Sequence, residues 1–230
     1  MPFLNLWGSQ MDNDKQKKPA DVGPLQIAKT NQAKRLLEAE LRDVCASKGF
    51  ELEYQPQVNL CTQRVTTFEA LLRWRHPVRG NVPPAEFILI AEEIGLIGEI
   101  GQWVLERACR DAATWTADLR LAVNVSPLQF NDAAMPALVA AALRLSGLAP
   151  SRLELELTES VAMPEGPACL AALQTIRNSG VGIVMDDFDI GYSGLGSLLD
   201  FPFTKVKIDR SFIERLPHDE HRHKAAINAR

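Results

Sequence analysis

Leu153-Glu-Leu-Glu-Leu157 is the stretch on which the fold turns. In an extended chain successive side chains point to opposite faces, so Glu154 and Glu156 share one face and the leucines the other. The leucines need an apolar layer to pack against. The glutamates need partners, because a carboxylate inside an α/β protein is costly unless paired or bound. Working outward, strand-like runs recur at Phe50 to Val58, Val65-Thr-Thr-Phe-Glu-Ala-Leu-Leu72, Leu121-Ala-Val-Asn-Val125, Val181-Gly-Ile-Val-Met185 and Lys205-Val-Lys-Ile208. Helical stretches separate them, at Pro84 to Ile94 and Glu99 to Trp115, Met135 to Ser146, Gly166 to Ser179 and Leu195 to Leu199. An amphipathic helix carrying Leu36, Leu37, Leu41 and Val44 precedes the first strand and stops at Gly49. Repeated β-α units predict a parallel sheet with its crossovers packed outside.

The polar residues decide between an open sheet and a barrel. Glu69, Asn124, Glu156, Asp186 and Lys207 fall at the ends of separate strands, and each is costly to bury. A barrel gathers the C-terminal ends of its strands around one mouth, where such residues converge, whereas an open sheet spreads them along an edge. Carboxylates with an amide oxygen are hard ligands, suited to Mg²⁺, Mn²⁺ or Ca²⁺. The adjacent Asp186 and Asp187 can split between two metals, an arrangement suited to phosphodiester hydrolysis. Lys207 adds a cation that can orient water or meet phosphate, although taken alone it reads as a surface lysine beside Lys205.

Other features narrow the reading by exclusion. Lys+Arg 25 against Asp+Glu 29 gives a formal charge of −4, which leaves no cationic excess for a long nucleic acid. The longest apolar runs are too short for a membrane span, and Met1-Pro-Phe-Leu-Asn-Leu-Trp-Gly8 is unlike a signal peptide, so a cytoplasmic location is expected. Cys45, Cys61, Cys109 and Cys169 are scattered and read as reduced packing cysteines. His218-Asp-Glu-His-Arg-His223 reads as a solvated tail rather than a metal tract. Gly191-Tyr-Ser-Gly-Leu-Gly196 lacks the Lys-Ser/Thr of a phosphate loop and reads as a bendable loop beside the carboxylates. Residues 1–30 are polar and aperiodic, a flexible leader or linker before a folded domain over 31–230.

With these residues assembled, the sequence resembles the EAL domain family of cyclic di-GMP phosphodiesterases. Glu69-Ala-Leu71 is the naming tripeptide, within Phe68-Glu-Ala-Leu-Leu-Arg-Trp-Arg-His-Pro77. Tyr54-Gln-Pro56, Asn124-Val-Ser126, Glu156-Leu-Thr-Glu-Ser160, Asp186-Asp-Phe188 and Lys207-Ile-Asp-Arg-Ser-Phe212 follow in the family's order. The resemblance implies a TIM-type (β/α) barrel with an antiparallel first strand, and Mg²⁺- or Mn²⁺-dependent cutting of cyclic di-GMP to the linear dinucleotide, with Ca²⁺ inhibitory. It implies metal ligands at Glu69, Asn124, Glu156 and Asp186, and a second-metal ligand at Asp187. It assigns Lys207 to the water, Gln55 and Arg73 to substrate, and Glu159 to anchoring the loop after Asp187. An upstream sensor or GGDEF-type domain and a homodimer are the partners that go with it.

The chain departs from the family pattern in two places. Asp189 and Ile190 stand where the family's loop has small residues, and the sequence stops at Arg230, before two further β-α units that carry a metal-site glutamate and a substrate-side glutamine. The expectation is therefore a barrel with its last two units absent, open sheet edges that pair or aggregate, and weak or no hydrolysis by the chain as written. Two rival functions stay open at this stage. One is a degenerate EAL domain that binds cyclic di-GMP as a non-catalytic receptor, and the other is a metal-dependent barrel doing carbanion chemistry with Lys207 as base.

Overall fold

The computed structural model describes residues 24–116, 119–130, 134–158, 166–188 and 201–208, and for 24–31, 166–167 and 187–188 it describes the backbone alone. In chain order the elements are α1 (Pro24–Ser47), β1 (Glu51–Asn59), β2 (Arg64–His76), β3 (Gly80–Val82), α2 (Pro84–Glu93), α3 (Ile97–Ala113), β4 (Arg120–Asn124), α4 (Met135–Ser146), β5 (Leu153–Thr158), α5 (Gly166–Asn178), β6 (Gly182–Phe188) and β7 (Lys205–Ile208). Helix α1 begins at Pro24, within the stretch whose composition reads as a leader. The helix expected at Leu195 to Leu199, the His218 tract and the Gly191 loop lie outside the described residues.

The sheet runs β1-β2-β4-β5-β6-β7, with β3 folded back on β2. β1 is antiparallel to β2, and β2, β4, β5, β6 and β7 are mutually parallel. This is the α/β barrel order expected from the sequence, with the first strand reversed. The β2–β3 hairpin was not anticipated. Its turn is held by His76, whose Nδ1 accepts from the backbone N–H groups of Val78 and Arg79 at 3.1 and 3.0 Å.

The outer face of the sheet makes the core. Leu72, Trp74, Leu121, Val123, Leu153, Leu155, Leu157 and Ile183 point to the helices and are buried. Facing them, α3 buries Ile97, Ile100, Gly101, Val104, Leu105, Ala108, Cys109 and Ala112, an i, i+3, i+4 stripe. Helix α4 adds Met135, Val139, Ala142 and Leu143, and stops at Gly147, whose φ of 73° only glycine adopts cheaply. Phe50, Trp74, Phe87 and Trp103 form an aromatic cluster where α2 and α3 meet the β1–β2 end. Cys109 and Cys169 are buried as expected, whereas Cys61 is exposed in the β1–β2 turn, and none of the four is in a disulfide.

Curvature of the sheet follows from one contact. β1 and β7 are five steps apart in the strand order, which in a flat sheet means about 24 Å. Yet Lys205 Nζ on β7 donates to Gln57 Oε1 on β1 at 3.3 Å. The described strands therefore curl into a partial barrel whose inner face carries the polar residues.

Candidate metal and phosphate site

The inner face is built by the pleat. Gln55 and Gln57 on β1, Glu69 on β2, Asn124 on β4, Glu154 and Glu156 on β5, and Lys205 and Lys207 on β7 alternate with the core-facing residues of their strands. Parallel pairing sets Asn124 opposite Glu156, and Thr158 opposite Asp186, at the C-terminal ends. The polar groups of the inner face sort into two layers.

The upper layer holds Glu69, Glu156 and Asp186, each of which offers a carboxylate oxygen within 4.8 Å of the others. Lys207 Nζ lies among them, 2.7 Å from Glu156 Oε2, 3.0 Å from Asp186 Oδ2 and 3.1 Å from Glu69 Oε2. Three carboxylates share this one ammonium, and Glu156 is fully buried. Burial pushes the Glu156 carboxyl up to about 7, and the negative charges of Glu69 and Asp186 reinforce this against the pull of Lys207. Burial alone would lower the Lys207 ammonium, but Glu156, Glu69 and Asp186 outweigh it and hold the proton more firmly than on a free lysine. As held here Lys207 is a hydrogen-bond donor and a positive charge.

Asn124 adds an amide to this layer. Its Nδ2 donates to Glu69 Oε1 at 2.9 Å, which fixes the amide, and its Oδ1 is left buried with no partner among the described residues. A buried acceptor without a donor costs about 1–3 kcal/mol. An amide oxygen beside three clustered carboxylates is the donor set of a hard divalent cation, and the surplus negative charge favours one. The residues present fit Mg²⁺ or Mn²⁺.

The lower layer has the opposite balance. Glu154 is buried, yet its Oε1 accepts from Arg120 Nη1 at 3.1 Å and its Oε2 from Lys205 Nζ at 2.6 Å. Its side chain fits because residue 182 on the neighbouring strand is glycine: a Cβ there would sit 3.1 Å from Glu154 Cγ. Lys205 is thus an inward-facing partner of a buried carboxylate rather than the surface lysine its sequence context suggests.

Glu69, Asn124, Glu156, Asp186 and Lys207 come together as expected. Gln55 pairs in register with Glu69 and its side chain is exposed on the inner face, open to a ligand. Arg73 shares the Glu69 face, but its guanidinium donates to Glu53 Oε2 at 2.8 Å and to the Leu72 carbonyl at 3.1 Å. The backbone of Asp187 lies in β6 beside Asp186, and Glu159, Asp189 and Ile190 fall outside the described residues. Gln57 was missed, although strand alternation puts it on the face of Gln55. Its Nε2 approaches Glu156 Oε1 at 3.3 Å and Glu69 Oε2 at 3.5 Å. Ser126 was recognised only as part of a motif: its hydroxyl donates to Glu92 at 2.7 Å and its N–H to Gln129, pinning the segment after β4.

The chain has known relatives. The EAL domain family model matches residues 38–228, and the chain belongs to that family. The bifunctional diguanylate cyclase/cyclic di-GMP phosphodiesterase MucR of Pseudomonas aeruginosa is 44% identical over 184 residues, covering 78% of this chain and 27% of that protein. An uncharacterised signalling protein of Caulobacter vibrioides is 47% identical over 197 residues, 86% of this chain and 24% of that one. The chain thus spans about a quarter of the length of the curated relatives it matches. Among solved structures, the MucR phosphodiesterase in complex with cyclic di-GMP superposes with a TM-score of 0.75 at 43% identity, covering 84% of this chain and 78% of that one. No helix among the described residues is long and apolar enough to cross a membrane.

Proposed function

We propose that this domain hydrolyses cyclic di-GMP to the linear dinucleotide in a Mg²⁺- or Mn²⁺-dependent reaction. The observation that carries the reading is the upper layer: three clustered carboxylates beside a buried amide oxygen that has no partner among the described residues. The match to a phosphodiesterase solved with cyclic di-GMP supports that dinucleotide as the substrate. Glu69, Asn124, Glu156 and Asp186 would hold the ion, with Asp187 serving a second one. A divalent ion there would stabilise negative charge developing on the scissile phosphate.

The chain's own residues do the rest. Lys207, kept protonated by its neighbours, donates to a water or to a phosphoryl oxygen and fixes its position. Gln55 is exposed on the inner face and meets the substrate from β1. Arg73 has the fork geometry for a phosphate and would exchange Glu53, which is itself exposed, for that ligand. Glu159 anchors the loop that follows Asp187. A sensor or GGDEF-type domain upstream, a homodimer and a cytoplasmic setting complete the reading.

The test is turnover of cyclic di-GMP by the purified chain with Mg²⁺, Mn²⁺, Ca²⁺ or chelator. The expected result is linear product with Mg²⁺ or Mn²⁺, and binding without product in Ca²⁺. Binding without product in every ion would make the domain a receptor instead.

A further inference from the structure

The two layers are not independent, and Gln57 joins them. Its Oε1 accepts from Lys205 Nζ at 3.3 Å, while its Nε2 faces Glu156 Oε1 at 3.3 Å and Glu69 Oε2 at 3.5 Å. Only one orientation of the amide serves these neighbours, because the flipped form would set its oxygen against two carboxylates and its NH₂ against an ammonium. Lys205 is in turn held by Glu154 at 2.6 Å, and Glu154 by Arg120 at 3.1 Å. A continuous chain therefore runs Arg120, Glu154, Lys205, Gln57 and ends on two residues of the upper layer.

We infer that Gln57, oriented by Lys205, is a positioning residue that sets the carboxylate geometry of Glu156, and braces that of Glu69, for a divalent cation. This rests on the upper layer being a metal site, as proposed above. Lys207 holds Glu156 by Oε2 and Gln57 holds it by Oε1, so without Gln57 this carboxylate could rotate about its terminal torsion, whereas on Glu69 Gln57 adds a second donor to the oxygen that Lys207 already holds. Asn124 restrains Glu69 from one side through Oε1. Gln57 is the neighbour that touches both glutamates from β1. Hydrogen-bond partners of metal ligands act in this way generally, and their loss lowers metal affinity about 10–100-fold.

Charge and positioning make opposite predictions for Lys205, which makes the inference testable. Removing this cation unbalances Glu154 and so adds negative potential near the site, and electrostatics alone would tighten cation binding. Positioning requires that it loosen. The measurement is Mn²⁺ affinity of the full chain, from the electron paramagnetic resonance signal of free Mn²⁺, with thermal unfolding followed on the same samples. Gln57→Leu should weaken Mn²⁺ binding about tenfold or more. Gln57→Asn, which keeps the amide but shortens its reach, should weaken it too and covers the case in which the leucine variant does not fold. Lys205→Met should weaken binding, and Lys205→Arg should restore most of it. Wild-type affinity in both Gln57 variants, or tighter binding in Lys205→Met, would overturn the inference and leave the metal site standing. Absence of saturable Mn²⁺ binding in the unmodified chain would overturn both.

Discussion

Glu154 and Glu156 lie two residues apart on one strand, point the same way and are both buried, yet their surroundings differ in kind. Glu154 has a cation on each oxygen, Arg120 on one and Lys205 on the other. Glu156 competes with Glu69 and Asp186 for a single lysine, and its carboxyl is pushed up to about 7. The first arrangement is balanced and consistent with structure. The second has fewer cations than carboxylates among the described residues and includes a buried Asn124 oxygen with no partner among them. Burial of a carboxylate therefore does not mark a site by itself, whereas an unbalanced set of them does.

The largest separation between the two layers is expected from the paired substitutions Glu156→Gln and Glu154→Gln. Glu156→Gln removes a ligand and should lower turnover by on the order of 10²-fold or more. Glu154→Gln keeps an acceptor for Lys205 and should cost no more than severalfold. Steady-state hydrolysis of cyclic di-GMP by the two variants checks this, and equal losses would erase the distinction.

Lys207 and Arg73 sharpen the comparison within the upper region. Lys207→Ala should cut kcat by about 10²-fold with little change in KM, and should leave Mn²⁺ binding as tight or tighter, because the ammonium competes for the same carboxylates. Arg73→Ala should instead raise KM about tenfold by removing a phosphate contact. Kinetics and Mn²⁺ titration of both variants separate these roles.

A smaller effect is expected in the metal-free protein as pH is varied. Glu156 ionises near 4.5 when unfolded but near 7 when folded, so between those values the folded state binds more protons. Stability should therefore fall as pH rises from about 4.5 to about 7 and then level off. Lys207 acts at the other end, since its raised value gives stability below 10.5 that is lost on going above it. Thermal unfolding against pH in chelator should show the first slope, and Glu156→Gln should flatten it. The same variant should also unfold at a higher temperature than wild type at pH 8, since it relieves repulsion among the carboxylates.

Strand alternation made the main residues of the upper layer legible, because period two in Leu153–Leu157 fixes which side chains share a face whatever the rest of the chain does. The reversed first strand and the convergence of Glu69, Asn124, Glu156, Asp186 and Lys207 were accessible through motif order. The lower layer was not. Lys205 and Glu154 are 51 residues apart, and Gln57 and Glu156 are 99, so nothing local announces that they meet. Their pairing depends on how far the sheet curls, which is set by packing of the helices outside. The β2–β3 hairpin escaped for a different reason: Gly80-Asn-Val82 is too short to show a period. Helix α1 starts at Pro24 within a polar stretch, where the first turns carry no apolar stripe to announce them.

The central claim is that the upper layer binds a divalent cation and the lower layer does not. Mn²⁺ titration of the wild type, Glu156→Gln and Glu154→Gln, read from the resonance of free Mn²⁺, tests it most directly. The account predicts saturable binding in the wild type, its loss in Glu156→Gln and its retention, at most severalfold weaker, in Glu154→Gln. Loss of binding in Glu154→Gln with retention in Glu156→Gln would contradict it.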